Sequence, residues 1–331
     1  MHSAPVLAPQ RHIQHGGVSR SLWGWVRVLG GVSILGFLLW RLGTGPFVGA
    51  ARLISGWAIG SALAIGVLTT VCCAWRWGLV AEGLGVRLPL RTAVADYYRS
   101  IFLNVTLPGG VVGDVHRAVR HGRDVGDVGR GIRAVVLERS AGQVVQAGIA
   151  IILLFAFPSP VRAYLPVVTV VVVAGGLGAV LAARVLPRSG LSRWARALRA
   201  GVADIRDGLL AHGNWLRIVV ASAVVVAGHL VTFLIAARTA GSTAPLSRLV
   251  PLTLLALLAM GLPTNVGGWG PREGVAAWAF GAAGLTAEQG VAAAVVYGAL
   301  VLVSSLPGAG VLVLRRISAP EAVADDGAVR G

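Results

Sequence analysis

Acid, lysine and cysteine are all scarce in this sequence. There is no lysine, so all 29 basic residues in the 331 are arginine. Acidic residues number 13, and charged residues of both signs make up 13% of the chain, against about 25% in soluble domains. A compact soluble fold of this length would lack the polar surface to cover itself, so that class is excluded. The two cysteines are adjacent, Cys72 and Cys73, inside an apolar run. They give neither a disulfide framework nor a metal-binding spacing and read as small packed residues. No His-Glu-x-x-His, Gly-x-Ser-x-Gly or aspartate-rich metal motif is present, so the expectation is no metal, no cofactor and no catalytic residue. The net charge of +16 would suggest nucleic acid in a soluble protein. In a membrane protein it reports arginine-rich cytoplasmic loops and anionic headgroups, and nucleic acid is not an expected partner. The use of arginine alone, beside abundant Ala, Gly and Val, also fits GC-rich codon usage.

What is present is apolar: 56% of the residues, before 46 glycines are added. They fall in blocks of roughly 20, the length of a bilayer-spanning helix. The expected fold is therefore an all-α integral membrane protein. A polar tail, 1–21, precedes a membrane domain over 22–316, and 317–331 reads as a disordered polar tail. Six full spans are predicted at about 22–42, 53–75, 134–157, 163–183, 218–237 and 289–314. Two further apolar stretches, Val94–Leu107 and Val250–Leu262, are too short. The second has 13 residues, about 20 Å of helix against a hydrocarbon core of about 30 Å. Both end in Leu-Pro and a glycine-rich segment, the pattern of re-entrant or broken helices around a binding site. With both short pieces returning to their own side and both termini cytoplasmic, 22 arginines lie on the cytoplasmic side and 6 outside, with Arg139 within a span. That follows the positive-inside rule.

The two glycine loops align. Leu107-Pro108-Gly109-Gly110-Val111-Val112-Gly113 runs through Asp114 to Arg117, and Leu262-Pro263-Thr264-Asn265-Val266-Gly267-Gly268 runs through Trp269 and Gly270 to Arg272, with five identities in eleven positions. Units of about 53–157 and 218–314, linked by 158–217, would enter the membrane from opposite sides, an inverted-topology repeat. After Arg117 the chain is polar to Arg133 while Gly274–Leu285 is apolar, so the first hairpin is expected to be shallower.

At these residues the chain resembles the lysylphosphatidylglycerol synthase transmembrane-domain family of flippase-like membrane proteins. The resemblance rests on Phe102-Leu103-Asn104 through Pro108-Gly109-Gly110 and Gly113-Asp114 to Arg117, on Glu138-Arg139 with Gly142, on Pro263 through Gly267-Gly268-Trp269-Gly270 to Arg272-Glu273, and on Tyr297 and Leu306-Pro307-Gly308. It spans about residues 25–316, and its most specific piece is Gly268–Glu273. It implies a polytopic bacterial plasma-membrane protein that handles lipids or lipid-linked molecules. Larger members carry a soluble domain that aminoacylates phosphatidylglycerol. Only a short polar tail follows Arg316 here, so that activity is not expected. Glu138 stands where many relatives have Asp, a mild departure.

Each candidate residue has two readings. Arg117 and Arg272, just beyond glycine turns, suit a phosphate beside exposed backbone N–H groups, or they anchor loops at the interface. Asp114 pairs with an arginine or takes a proton, or it caps a helix. Glu138 and Arg139 lie about one turn inside a span and point ~100° apart, so each needs another partner. Arg272 or Arg117 is open for Glu138, and Glu273 or Asp114 for Arg139. Alternatively, both snorkel to the cytoplasmic face. His229 and Tyr297 lie in apolar spans, where a lone His is more often bonded to a neighbouring helix than a ligand. Asn104-Val105-Thr106 matches a glycosylation sequon at membrane depth and is discounted. Leu191, Trp194, Leu198, Val202, Ile205 and Leu209, interleaved with arginines, predict a basic amphipathic helix over 191–212 on the cytoplasmic interface. Small residues abound in every span, so no oligomer face stands out. The leading expectation is a lipid or lipid-linked-precursor flippase whose partners are membrane lipids, an anionic phospholipid or a lipid-linked phosphate. A non-transporting partner of a separate glycosyltransferase or synthase, and an embedded enzyme acting on a lipid phosphate, are the rivals.

Overall fold

A computed structural model of the chain describes residues 33, 36, 40, 54–107, 110–185, 201–210, 213–261 and 269–317. The tail 1–21, nearly all of the predicted span 22–42, residues 191–200, 211 and 212 of the amphipathic helix, and 318–331 lie outside them. Among the described residues every regular element is helical. In chain order they are α1 (Gly56–Gly83), α2 (Leu90–Thr106), α3 (Val112–Asp124), α4 (Val128–Ala156), α5 (Leu165–Val185), α6 (Trp215–Thr239), α7 (Leu246–Met260), α8 (Pro271–Ala282), α9 (Ala287–Ser305) and α10 (Pro307–Ile317). A π-helical turn, Arg206–Leu210, precedes α6.

Local chemistry sets the helix ends. The Ser55 hydroxyl accepts from the Ala58 amide to start α1, Asp127 accepts from the Arg130 amide to start α4, and Thr286 accepts from the Gln289 amide to start α9. Helices α2 and α7 begin after Pro89 and Pro245. Glycines at positive φ turn the chain after α1, α3, α6 and α8: Gly85, Gly126, Gly241 and Gly284. Helix α8 starts with Gly270 at φ 115°, then Pro271 at its first position.

Among the described residues four helices are long and apolar enough to cross a bilayer: Gly56–Gly83, Val128–Ala156, Trp215–Thr239 and Ala287–Val313. They coincide with four of the six predicted spans. Leu165–Val185 covers the predicted span at 163–183, and its exposed Val167, Val168, Val170, Val171, Val172, Val173, Leu177 and Leu181 leave it apolar all round. Helices α2 and α7 occupy the two stretches predicted to be too short to cross. Exposed Trp57 and Trp215 stand at the starts of α1 and α6, and exposed Tyr164 just before α5, positions suited to an interfacial aromatic belt.

One predicted boundary is corrected. The span expected to end at 75 continues as helix to Gly83 and carries Arg76 into the interior. The charge does not end the helix because another helix supplies its counter-ion, as described below. Arg76, Arg99, Arg117 and Arg272 are all buried, so they are interior groups and not loop markers. Setting them aside changes the arginine balance from 22 against 6 to 19 against 5, in the same direction.

At the centre α1 packs on α6, and α4 and α9 each pack on both. Helices α2 and α3 close one end with α4, while α7 and α8 close the other with α9. A core of alanines with Phe233, Leu249, Phe280 and Leu300 joins α6–α9 to the start of α1, and a second core around Trp77, Ala93, Ala118 and Ala134 joins α1–α4. Leu209 seats the π-helical turn against Leu79, Val80 and Leu137. Small residues let helices without a hydrophobic driving force approach closely. A Cβ at Gly290 of α9 would overlap the Ala276 carbonyl of α8, whereas at Gly175 of α5 nothing described lies within 4 Å. Gly290→Ala is therefore expected to lower unfolding stability in detergent by about 1–3 kcal/mol. Gly175→Ala should change it by less than about 0.5 kcal/mol or raise it, both read by thermal denaturation.

Candidate functional site

Five charged side chains from three helices meet in the interior. Glu138, on α4, has no solvent exposure. Its Oε1 accepts from Arg76 Nε at 3.0 Å and from the Tyr97 hydroxyl at 3.1 Å, and its Oε2 accepts from Arg117 Nη2 at 3.0 Å. Arg76 Nη1 donates to Ser222 Oγ of α6 at 2.9 Å. A buried carboxylate is tolerated only with such compensation. Gly142, one turn beyond Glu138, leaves room for Arg76, whose guanidinium would lie 2.9 Å from a Cβ there.

Arg117 is fully buried between two aromatic faces, its guanidinium carbon 4.5 Å from the Trp77 ring centroid and 4.2 Å from that of Tyr97. It also donates to Asp114 Oδ1 at 3.0 Å. Asp114 accepts in addition from the Ser100 hydroxyl at 3.1 Å, from Asn104 Nδ2 at 2.9 Å and from Arg139. Burial pushes the Asp114 carboxyl up, but Arg139 and Arg117 outweigh it, and the value falls below the ordinary carboxylate range. Its stabilising effect is present at neutral pH and lost only as pH falls through that lowered value. Gly113 serves packing: a Cβ would overlap the Ser100 backbone, and its amide donates to Asn104 Oδ1 at 2.8 Å. The Asn104 side chain is thus buried and engaged, which agrees with discounting the sequon.

Of the pairings left open, Glu138 takes Arg117 and Arg139 takes Asp114. The alternatives, Glu138 with Arg272 and Arg139 with Glu273, do not form among the described contacts, because Glu273 serves its own helix. It accepts from the Gly270 amide at 2.7 Å and from Arg272 Nε at 2.9 Å. Arg272 lies 5.3 Å from the Trp269 ring and 5.1 Å from that of Tyr297. The Tyr297 hydroxyl and His229 Nδ1 share a 2.9 Å hydrogen bond between α9 and α6, the neighbouring-helix partner anticipated for His229. Pro108, Gly109, Pro263, Gly267 and Gly268 lie outside the described residues.

A cavity of about 260 Å³ lies between the halves. Arg76, Tyr97, Gly110 and Arg139 line it from the first half, and His229, Gly261 and Tyr297 from the second. Asp114, Arg117, Trp269, Arg272 and Glu273 are not in its wall. Three arginines, Arg76, Arg117 and Arg139, face two carboxylates, so the cluster carries one net positive charge. Arg76 is buried and engaged with Glu138, Ser222 and Cys73, and Arg117 is sealed between rings. Arg139, with 43% of its side chain exposed, is the member left to meet a ligand. The arrangement can bind an anion.

Arg76, Trp77, Tyr97, Ser100 and Ser222 were not among the residues anticipated. Arg76 left one legible trace, a lone arginine amid apolar residues of one helix, which in a bilayer marks a functional group by default. Glu138→Gln leaves Arg76 and Arg117 without their buried counter-ion and should lower stability by about 3–5 kcal/mol. Arg139→Gln, at a half-exposed position, should cost less than about 1 kcal/mol. Thermal unfolding of the two variants in detergent checks the order.

With this geometry in place, the family described as Lysylphosphatidylglycerol synthase TM region matches the chain over residues 24–308. No curated protein matches it.

Proposed function

The chain belongs to the lysylphosphatidylglycerol synthase transmembrane-region family, and from that premise we propose that this multi-pass membrane protein moves the headgroup of an anionic lipid across the bilayer. The family connects it with lipid metabolism or flipping; transport by this chain is our reading. The observation that carries it is the half-exposed Arg139 guanidinium, held by Asp114 at the wall of a cavity lined by all four long apolar helices. A phosphate there would accept charge-assisted hydrogen bonds from Arg139. The cavity's 260 Å³ falls below the range of about 300–1,000 Å³ typical of drug-sized ligands. That size suits a headgroup whose acyl chains stay in lipid.

Two helix series flank the cavity and support alternating exposure. Each runs from a long span through a positive-φ glycine and a Pro-started short helix, then a Pro/Gly loop and a second short helix. Another positive-φ glycine and a side-chain cap then lead into the last span. We read α1–α4 and α6–α10 as inverted repeats, with α2–α3 and α7–α8 as the two re-entrant hairpins and a sixth span within 22–42. The arginine balance favours cytoplasmic termini in a bacterial plasma membrane. We read the chain as a transporter rather than an enzyme because the cavity wall offers arginine and neutral polar groups suited to holding an anion. Acid residues at the cluster are bound to arginine, which favours a structural over a proton-carrying role for Glu138.

The test is lipid scrambling in vesicles holding only this protein, with tail-labelled phosphatidylglycerol and a membrane-impermeant quencher. Wild type should expose inner-leaflet probe faster than empty vesicles. Arg139→Gln, with an unchanged melting temperature, should be slower by at least about tenfold, the scale of one lost charge-assisted hydrogen bond. Equal rates for the two proteins would remove Arg139 from the pathway, and no rate above empty vesicles would remove transport.

A further inference from the structure

Beyond Arg139 the cavity wall continues as neutral amide. Arg139, Gln143 and Gln146 stand at i, i+4 and i+7 on α4 and all line the cavity, so they form one stripe about 10 Å long. Neither glutamine makes a hydrogen bond among the described residues. The Gln143 amide lies against Gly261 at the end of α7, where a Cβ would meet its Oε1 at 2.9 Å. Gln143 is exposed and Gln146 half-buried, so both amides open on the cavity and are available to hydrogen-bond a ligand there. The facing hydroxyls are acceptors. Thr69, Thr232, Ser304 and Ser305 line the same cavity, and each donates its proton to a carbonyl of its own helix, which leaves oxygen lone pairs free.

The wall also excludes one class of headgroup. No carboxylate is among the described cavity-lining residues. The nearby acids are committed, Glu138 to Arg76 and Arg117, Asp114 to Arg117 and Arg139, and Glu273 to Arg272. Outside the described residues the sequence has acids only at Glu321, Asp325 and Asp326, in the polar tail. An ammonium group entering here would meet two arginines and no anion.

We infer that the headgroup is a phosphodiester carrying a neutral polyol, glycerol or a sugar, with the phosphate on Arg139 and the polyol hydroxyls on Gln143, Gln146 and the facing hydroxyl oxygens. This rests on the anionic-headgroup reading above and narrows it against amine-bearing headgroups, an aminoacyl one included. Each polyol hydroxyl can both donate to an amide or hydroxyl oxygen and accept from an amide N–H, whereas an ammonium can only donate and would lie beside the Arg76 and Arg139 cations.

The experiment is a competition binding assay on the full chain in detergent. Its probes are phosphatidylglycerol, phosphatidylmethanol (the same charge without hydroxyls), lysylphosphatidylglycerol, a polyprenyl phosphohexose and acyl-free glycerol 3-phosphate. Phosphatidylglycerol or the phosphohexose lipid should bind about tenfold tighter than phosphatidylmethanol, the scale of two net hydrogen bonds. Lysylphosphatidylglycerol should bind at least as much weaker. Gln143→Leu with Gln146→Leu should bring phosphatidylglycerol down to phosphatidylmethanol and leave the latter unchanged. Gln143→Glu, which keeps the side-chain size and serves if the leucine variants do not fold, should weaken phosphatidylglycerol and strengthen lysylphosphatidylglycerol. Equal binding of phosphatidylglycerol and phosphatidylmethanol, unaffected by the glutamine changes yet lost in Arg139→Gln, overturns the polyol inference alone. Binding insensitive to Arg139→Gln overturns the anionic reading beneath it, and glycerol 3-phosphate binding as tightly as the lipid overturns the lipid as the source.

Discussion

A carboxylate in the interior of a membrane protein persists only if positive charge and hydrogen-bond donors surround it, and Glu138 imposes that condition on this fold. Its partners come from elsewhere in the chain: Arg76 on α1, Tyr97 on α2 and Arg117 on α3. Ser222 on α6 holds Arg76 from the far side. Satisfying one buried anion therefore fixes four helices against α4. Because adjacent helix positions point about 100° apart, turning Glu138 inward turns Arg139 toward the cavity. The structural charge and the ligand-facing charge are neighbours in sequence with different duties.

The two halves handle a buried arginine in related ways. In each, an arginine beyond a glycine loop lies between a tryptophan and a tyrosine, Trp77 and Tyr97 for Arg117, Trp269 and Tyr297 for Arg272. The counter-ions differ. Arg117 uses Glu138 from another helix, whereas Arg272 uses its own neighbour Glu273, which also caps the start of α8. The first half is thus locked across helices and the second within one helix end. Glycine completes both arrangements: Gly142 makes room for Arg76 and Gly298 for Arg272 with Trp269.

Much of this is legible in the sequence. Low charge and apolar blocks identified the membrane class, and four predicted spans coincide with long apolar helices. The glycine loops pointed to Asp114, Arg117, Arg272 and Glu273, and the rule that intramembrane charges need partners pointed to Glu138 and Arg139. What stayed hidden is the choice among partners. Arg76 lies 62 residues from Glu138, and its pairing follows from α1 packing on α4. The expected end of the first long helix at residue 75 failed for the same reason: a charge ends a span only when nothing in the membrane neutralises it. Tyr97 and Ser222 look like ordinary helix residues until the packing brings them to the cluster.

The sequence by itself determined the membrane class and the places of the four long apolar helices described here, because those follow from composition and run length. It also determined that few acids exist to meet cations. Tertiary structure alone decided that Arg272 and Glu273 serve the start of α8 while Arg139 and the Gln143–Gln146 stripe reach the cavity. Burial of a charge is settled by which helices pack around it, and that depends on contacts far apart in the chain.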